Sequence, residues 1–315
     1  MTPWLDIIIV NWNSGDLLRG CLKSIAAASH HESFHLNSVV VVDNASCDGS
    51  ADGLGEQGIP LVTVRNKANR GFAAACNQGA KGSKADYLLF LNPDTYLNQD
   101  SLVKPLVFME SNLNQHIGIV GIQLRDIHGK ISRSCARFPT PARFLSRSIG
   151  LDRLFPSTFP SHKMADWEHG ESREIDHVIG AFFMTRRSIF EALRGFDERF
   201  FVYLEDLDFS FRAHTAGWRS VYLAEATACH KGGGTSEKVA ARRLFYSLQS
   251  RILYGYKHFA RGSATIVMLA TLFVEPLARL ALAISRRSSE EIRGTIEGYA
   301  FLWPNLPRLF KNLSA

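Results

Sequence analysis

Cysteine is scarce and badly placed for any structural duty. Cys21, Cys47, Cys76, Cys135 and Cys229 are spread over 315 residues, odd in number and without a Cys-x-x-Cys pair. That excludes a disulfide framework and a cysteine zinc site, and points to a reducing compartment with mostly inert thiols. Internal repeats and low-complexity stretches are absent. With 46% apolar and 21% charged residues, the composition excludes a disordered tail, a coiled coil and a collagen-like repeat. The opening MTPWLDIIIVNWN has neither a basic n-region nor a long apolar h-region. No secretory signal is expected there, and a cytoplasmic location is. The glycines of Lys231-Gly232-Gly233-Gly234-Thr235-Ser236 lack a following Gly-Lys-Ser/Thr, so they are not a nucleotide-binding P-loop.

What the chain does have is an uneven charge. The net charge is +6, yet from Arg242 onward there are 11 Lys/Arg against 4 Asp/Glu. The basic excess therefore belongs to the C-terminal quarter. It accompanies the apolar run Ala264–Ile284, which is long enough to span a bilayer but is interrupted by Glu275, Pro276 and Arg279. Arg286 and Arg287 follow at once, and Phe301-Leu302-Trp303 and Leu306–Leu313 continue the apolar and basic mixture. Three placements are compatible: in a membrane interface, packed on the main body or on a second copy of the chain, or spanning. Basic groups beside an apolar helix favour the interface, and favour lipid over nucleic acid as the partner.

The first hundred residues alternate between short apolar runs and helical spacing. Leu5–Val10, Val39–Val42, Leu61–Val64 and Tyr87–Leu91 read as strands buried on both faces. Leu17–Ala28 and Phe72–Lys81 read as the helices between them. This pattern predicts an α/β fold with a mostly parallel sheet flanked by helices. Ligands of such sheets sit beyond the carboxyl ends of the strands. Asn11/Asn13, Asp43/Asn44 and Asn92/Asp94 each follow a strand at once. Asn and Asp also favour turns in their own right, but three such pairs point to one shared edge.

Residues 126–173 show no periodicity and contain Pro139, Pro141, Pro156 and Pro160, so a long irregular insertion is expected. His177–Thr185 reads as a strand, Ser188–Leu193 as a helix and Gly195-Phe196-Asp197 as a turn. Glu205, Asp206 and Asp208 open a helical pattern over Leu204–Ala216, where acidic groups suit the helix N-terminus. Asp208 and Arg212 are spaced to pair. A further helix is expected over Arg242–Phe259. The resulting division is residues 1–240 as one domain and 241–315 as a helical, partly apolar and basic segment.

Five motifs occur in order: Val10-Asn11-Trp12-Asn13; Asp43-Asn44-Ala45-Ser46-Cys47-Asp48-Gly49-Ser50; Asn69-Arg70-Gly71-Phe72 through Asn77; Asn92-Pro93-Asp94; and Phe196-Asp197-Glu198 through Glu205-Asp206-Leu207-Asp208. Together they resemble family 2 glycosyltransferases of the GT-A fold, in the rhamnosyltransferase-like branch, over about residues 5–236. The resemblance implies an inverting, metal-dependent transferase. It would move a sugar, L-rhamnose from dTDP-rhamnose in the first place, onto a cell-surface polysaccharide or lipid-linked glycan acceptor; the alternatives are the same chemistry with a UDP-hexose donor, or a nucleotide-sugar-binding protein without catalysis. The Gln-x-x-Arg-Trp motif of processive members is missing after His230, so one sugar per binding event is expected.

The resemblance also distributes roles. Asp43 would accept the imide N–H of a uracil or thymine base, beside the main chain of Val10 and Asn11, with Asn13 nearby. Arg70, the amides after Gly71, and Asn77 would face the phosphates or ribose. Asn92 stands where the family carries the first aspartate of Asp-x-Asp, leaving Asp94 as the anionic ligand of Mg²⁺ or Mn²⁺ and His230 as a second ligand. Asp206 would be the general base, with Glu205 orienting the acceptor or holding the loop. Gly180 and Ala181 match the small residues that let a sugar sit close.

Overall fold

The computed structural model describes residues 2–55, 58–164, 166–232 and 240–313. The glycine-rich motif from Gly233 to Ser236 lies outside them. In chain order the elements are β1 (Trp4–Asn11), α1 (Leu17–Ala28), β2 (His35–Asp43), β3 (Leu61–Arg65), α2 (Phe72–Ala80), β4 (Tyr87–Leu91), β5 (Thr95–Leu97), α3 (Val103–Glu110), β6 (Ile117–Arg125), β7 (Cys135–Ala136), α4 (Pro141–Ser148) and α5 (Leu151–Leu154). Then come β8 (Arg173–Ile175), β9 (His177–Val178), β10 (Phe182–Arg186), α6 (Arg187–Ala192), α7 (Glu205–Thr215), β11 (Arg219–His230), α8 (Ala240–His258), α9 (Arg261–Leu269), α10 (Glu275–Ser285) and α11 (Ser289–Leu313).

The chain divides into two compact units. The first comprises Met1–Arg137, Trp167–Glu198 and Glu205–Thr235. Its sheet runs β3-β2-β1-β4-β10-β6-β11-β5, with β8 beside β11. β3, β2, β1 and β4 are mutually parallel, as are β6 and β11, while β10 and β5 run antiparallel to their neighbours. This is the mostly parallel sheet, flanked by helices, that the alternating runs predict. Every residue of β4 is buried, and so is all of β1 after Trp4. Covered faces are the reason these strands read as unbroken apolar runs. α2 lies close against β1 because its inward face is alanine: Ala73, Ala74 and Ala75 are buried. A Cβ on Gly79 would come within 2.6 Å of Ile8 and 3.1 Å of Val42.

One predicted strand divides. His177–Val178 pairs with β7 in a separate two-stranded sheet, and Phe182–Arg186 joins the main sheet. The break falls at Ile179-Gly180-Ala181.

The second unit gathers Phe138–Asp166, Arg199–Leu204 and Ser236–Ala315. Its helices enclose Leu248, Ile252, Met268, Leu272, Tyr299, Leu302 and Leu309. The region expected to be irregular contains α4. Thr140 caps it, its side chain accepting from the Arg143 amide at 3.3 Å, and Pro141 opens the first turn. The apolar run near residues 264–284 is two helices, α9 and α10, joined by a π-helical turn over Ala270–Val274 with Pro276 in the first turn of α10.

Gly79→Ala should destabilise the first unit. The gain in helix propensity, up to ~1 kcal/mol, is outweighed by overpacking against the stiff, β-branched Ile8 and Val42, typically ~1–3 kcal/mol. Urea unfolding would show a lowered midpoint at unchanged slope; an unchanged or raised midpoint would contradict the close packing.

Candidate active site

The polar residues meet because the strands that carry them end together. In the β1–β2 ladder Asn11 stands opposite Asp43, and Val10 opposite Val42. In the β1–β4 ladder Ile9 stands opposite Leu91, so Asn92 follows at the same edge. β10 runs the other way and opens with Phe182 opposite Leu91, which puts Gly180 and Ala181 at that edge too. β5 pairs with β11 with Thr95 opposite His230, which sets His230 beside Asp94.

Asp43 is buried, and Asn11, fully buried, donates to its Oδ1 at 2.9 Å. The same Asn11 amide also reaches the Ser50 and Ser46 hydroxyls, at 2.9 and 3.1 Å, and its carbonyl oxygen accepts from Ser14. The Asn11 side chain is thus spent on holding Asp43 and the 46–50 loop. Asn13, at φ 50°, accepts from the Cys47 amide at 2.8 Å. Ala45, two residues after Asp43, is also left-handed at φ 64°. Two non-glycine residues in that region, one on the loop after β1 and one on the loop after β2, mark backbone strain beside the site.

Asn44, marked by the sequence only as a strand-end residue, turns out to have a structural task. It is buried, donates to the Asn69 side chain at 2.9 Å and to the Gly71 carbonyl at 3.1 Å, and accepts from the Arg70 amide at 3.0 Å. It fastens the 69–71 loop to the end of β2. Its place in the second motif was the available signal. Gly71, at φ 87°, turns the chain into α2. The Arg70 side chain is exposed. Asn77 departs from its expected role. Its amide donates to the Phe196 carbonyl at 2.8 Å and to Glu198 at 3.0 Å, and accepts from the Phe196 amide at 2.9 Å. It clamps α2 to the 196–198 turn, with no donor left for a nucleotide.

Asn92 through Thr95 form a turn in which the Thr95 amide donates to the Asn92 carbonyl at 3.1 Å. The Asn92 amide and the Thr95 hydroxyl both donate to the Ala181 carbonyl, at 3.1 and 3.2 Å. Asp94 Oδ1 lies 3.3 Å from His230 Nε2. Among the described residues no group of three or more His, Cys, Asp or Glu forms a metal cage. A carboxylate and an imidazole side by side fit a divalent ion that takes its other ligands from substrate oxygens or water.

Asp206, in the first turn of α7, is held by two main-chain donors. The Gly180 amide reaches Oδ2 at 2.7 Å and the Leu207 amide reaches Oδ1 at 2.8 Å. His177 Nε2 lies 3.6 Å from Oδ2, while its Nδ1 meets the Ser210 hydroxyl at 3.0 Å. Burial holds the His177 imidazole below its ordinary range, against the pull of Asp206 and Asp176. Glu205 is buried, and its Oε2 has no hydrogen-bond partner. Burial first, then the charge of Asp206, pushes its carboxyl well above the usual carboxylate range. Asp208 pairs with Arg212 at 2.8 Å as the spacing predicts, and Arg212 goes on to the carbonyls of Leu193 and Gly195.

A parallel-led sheet whose strand ends present acidic groups, faced by a carboxylate at a helix start, defines the GT-A class of glycosyltransferase. The match to the Glycosyl transferase family 2 model over residues 6–194 narrows this: the chain belongs to that family. It is 26% identical over 272 residues to an N-acetylglucosaminyl-diphospho-decaprenol L-rhamnosyltransferase of Mycobacterium tuberculosis, covering 82% of this chain and 86% of that one. It is also 26% identical to the rhamnosyltransferase WbbL of Escherichia coli, over 54% of this chain and 61% of that one. Among solved structures, the mannosyltransferase PcManGT of Pyrobaculum calidifontis in complex with GDP-Man and Mn²⁺ shares the fold at a TM-score of 0.56 and 17% identity, covering 99% of this chain and 84% of that one. S. aureus TarS 1–349 in complex with UDP-GlcNAc does so at 0.53 and 16%, covering 92% and 78%.

The Glu205 carboxyl makes stability depend on pH. Its pKa is raised in the folded state, so its contribution is fully present below about pH 4.5 and is lost as pH rises through the raised value. Glu205→Gln should therefore gain stability over the parent on going from pH 5 to pH 8 in denaturant titrations. A difference between the two proteins that does not vary with pH would show that Glu205 ionises normally in the fold.

Proposed function

We propose that the enzyme is an inverting, metal-dependent, non-processive glycosyltransferase that moves L-rhamnose from dTDP-rhamnose to a glycan acceptor, in the first instance a lipid-linked one. The observation that carries this reading is the hydrogen bond from the Gly180 amide to Asp206. It ties a carboxylate to the edge where β1, β2 and β4 deliver Asn11, Asp43 and the Asn92–Asp94 turn. The rhamnosyltransferase relatives support the donor and acceptor class. The Mn²⁺ bound by PcManGT supports a divalent metal. The UDP-GlcNAc bound by TarS makes a UDP-hexose the alternative donor.

In this mechanism Asp43 takes the imide N–H of the pyrimidine, with the main chain of Val10 and Asn11 and the Asn13 turn forming the rest of the base pocket. Arg70 and the amides that follow Gly71 face the phosphates. Asp94 and His230 would hold the divalent ion, which neutralises charge on the departing nucleoside diphosphate. Gly180 and Ala181 leave room for the sugar. Asp206 accepts the proton of the acceptor hydroxyl as its oxygen bonds to the anomeric carbon. The carbon–oxygen bond to the diphosphate breaks on the opposite face, so the configuration inverts. The two main-chain donors fix the orientation of the Asp206 carboxylate before the acceptor arrives. Glu205, uncharged and buried, supports the start of α7.

Asp206→Asn should lower turnover by ~10²–10⁴-fold with the donor KM nearly unchanged, read as release of dTDP or UDP from a panel of nucleotide sugars. Undiminished transfer would remove Asp206 as base, and turnover with UDP-hexoses alone would replace the donor.

The second unit supports a peripheral location on the cytoplasmic face of a membrane. Arg261–Ser285 is long and apolar enough to cross a bilayer, by length and composition, with a mean hydropathy of 1.9. Yet Glu275 within it is buried and paired to Arg251 and Arg279. Ile266, Phe273, Leu277 and Ile284 on these helices, and Trp303 and Phe310 on α11, are exposed. Arg286, Arg287, Arg308 and Lys311 are basic residues of the same unit. Apolar side chains with flanking cations suit the interface of an anionic membrane. The full chain should float with phosphatidylglycerol vesicles, and the double variant Leu277→Gln/Ile284→Gln should stay in the soluble fraction. Equal recovery of both in the soluble fraction would reject the membrane contact.

A further inference from the structure

Asp206 has a third neighbour besides its two main-chain donors. His177 lies on β9, opposite Ala136 of β7, and is buried, 3% exposed. Its Nε2 faces Asp206 Oδ2 at 3.6 Å, beyond hydrogen-bond reach. Its Nδ1 meets the Ser210 hydroxyl at 3.0 Å. Ser210 is fully buried and stands one turn after Asp206 on α7, where its hydroxyl donates to the Asp206 main-chain carbonyl at 3.0 Å. All three residues belong to the first unit.

These contacts fix where the imidazole carries its proton. A serine hydroxyl has one hydrogen. The main-chain carbonyl can only accept, so that hydrogen is spent on Asp206, and the Ser210 oxygen is left to accept from His177. Nδ1 is then the N–H of the ring. Burial holds the imidazole below its ordinary range, against the charges of Asp206 and Asp176, so the ring is neutral at neutral pH. A neutral imidazole has one N–H, and Nε2 therefore presents a bare lone pair. Two acceptors that face each other do not close to hydrogen-bond distance, which agrees with the 3.6 Å gap.

We propose that His177 is a positioning residue of the transfer reaction: held by Ser210 as the Nδ1–H tautomer, it turns a lone pair to Asp206 and withholds a third donor from the carboxylate. The inference rests on Asp206 being the general base. A carboxylate that accepts several N–H bonds is stabilised in its charged form and is a weaker base. The Gly180 and Leu207 amides already supply two such bonds, which set its orientation. An Nε2–H at the same place would add a third and oppose uptake of the acceptor's proton. Ser210 prevents this from behind, through the ring.

The tautomer is read directly from the ring nitrogen chemical shifts of His177 in the full chain, assigned by their loss in His177→Phe. A protonated Nδ1 and a bare Nε2 are expected in the parent at neutral pH; a hydrogen on Nε2 would overturn the inference. Ser210→Ala removes the acceptor that selects the tautomer. There an Nε2–H signal should emerge, and kcat should fall by about three- to tenfold with the donor KM unchanged. Adding His177→Phe removes the unwanted donor, so the double variant should regain most of the loss, whereas a merely structural His177–Ser210 bond gives no recovery. Parental kcat in Ser210→Ala, or a double variant no faster than Ser210→Ala, would overturn the role of His177 while Asp206→Asn remains inactive. Undiminished transfer by Asp206→Asn would instead remove the base itself, and this inference with it.

Discussion

The parallel pairing of β1 with β2 and β4 is the constraint on which the active edge depends. Because Asn11 is opposite Asp43 and Ile9 is opposite Leu91, three strand ends finish within one or two residues of each other. A shift of one residue in either ladder would turn the buried valines and leucines toward the wrong face, so the packing that stabilises the sheet also aligns the polar residues. β10 then enters antiparallel beside β4, and its preceding residues return to the same edge, where the Gly180 amide finds Asp206. Ala181 accepts from Asn92 and Thr95, so the Asn92–Thr95 turn and Asp206 are coupled through the consecutive residues Gly180 and Ala181.

Polar side chains around this edge do much of the holding. Asn11, Asn44 and Asn77 each use their amides on the protein itself, linking Asp43 to the 46–50 loop, β2 to the 69–71 loop, and α2 to the 196–198 turn. Buried amides of this kind are costly unless satisfied, and their satisfaction specifies one arrangement of loops. Glu205 is the exception, a buried carboxyl with a free oxygen in the field of Asp206. Such a group is stable only by retaining its proton.

In the second unit, charge and hydrophobicity are sorted by depth. Glu275 interrupts an otherwise apolar run, and it does so buried and paired to Arg251 and Arg279 while Phe273, Val274 and Leu277 near it are exposed. Breaking such a buried pair typically costs ~3–5 kcal/mol, so the polar break in the run is a structural joint of the unit.

The alternation of buried apolar runs with helical spacing determined the first four strands, their mostly parallel sheet and the helices α1 and α2, and the motif residues marked the strand ends. Periodicity is a local property, and a strand covered on both faces shows it plainly. The Thr140-Pro141 start of α4 was written in the chain but lay among other prolines, and the split of residues 177–185 was marked only by Gly180 inside an apolar run. Which asparagines touch one another and which carboxyl keeps its proton were decided only by tertiary structure. Those properties depend on burial and on partners dozens of residues away, which spacing along the chain does not encode.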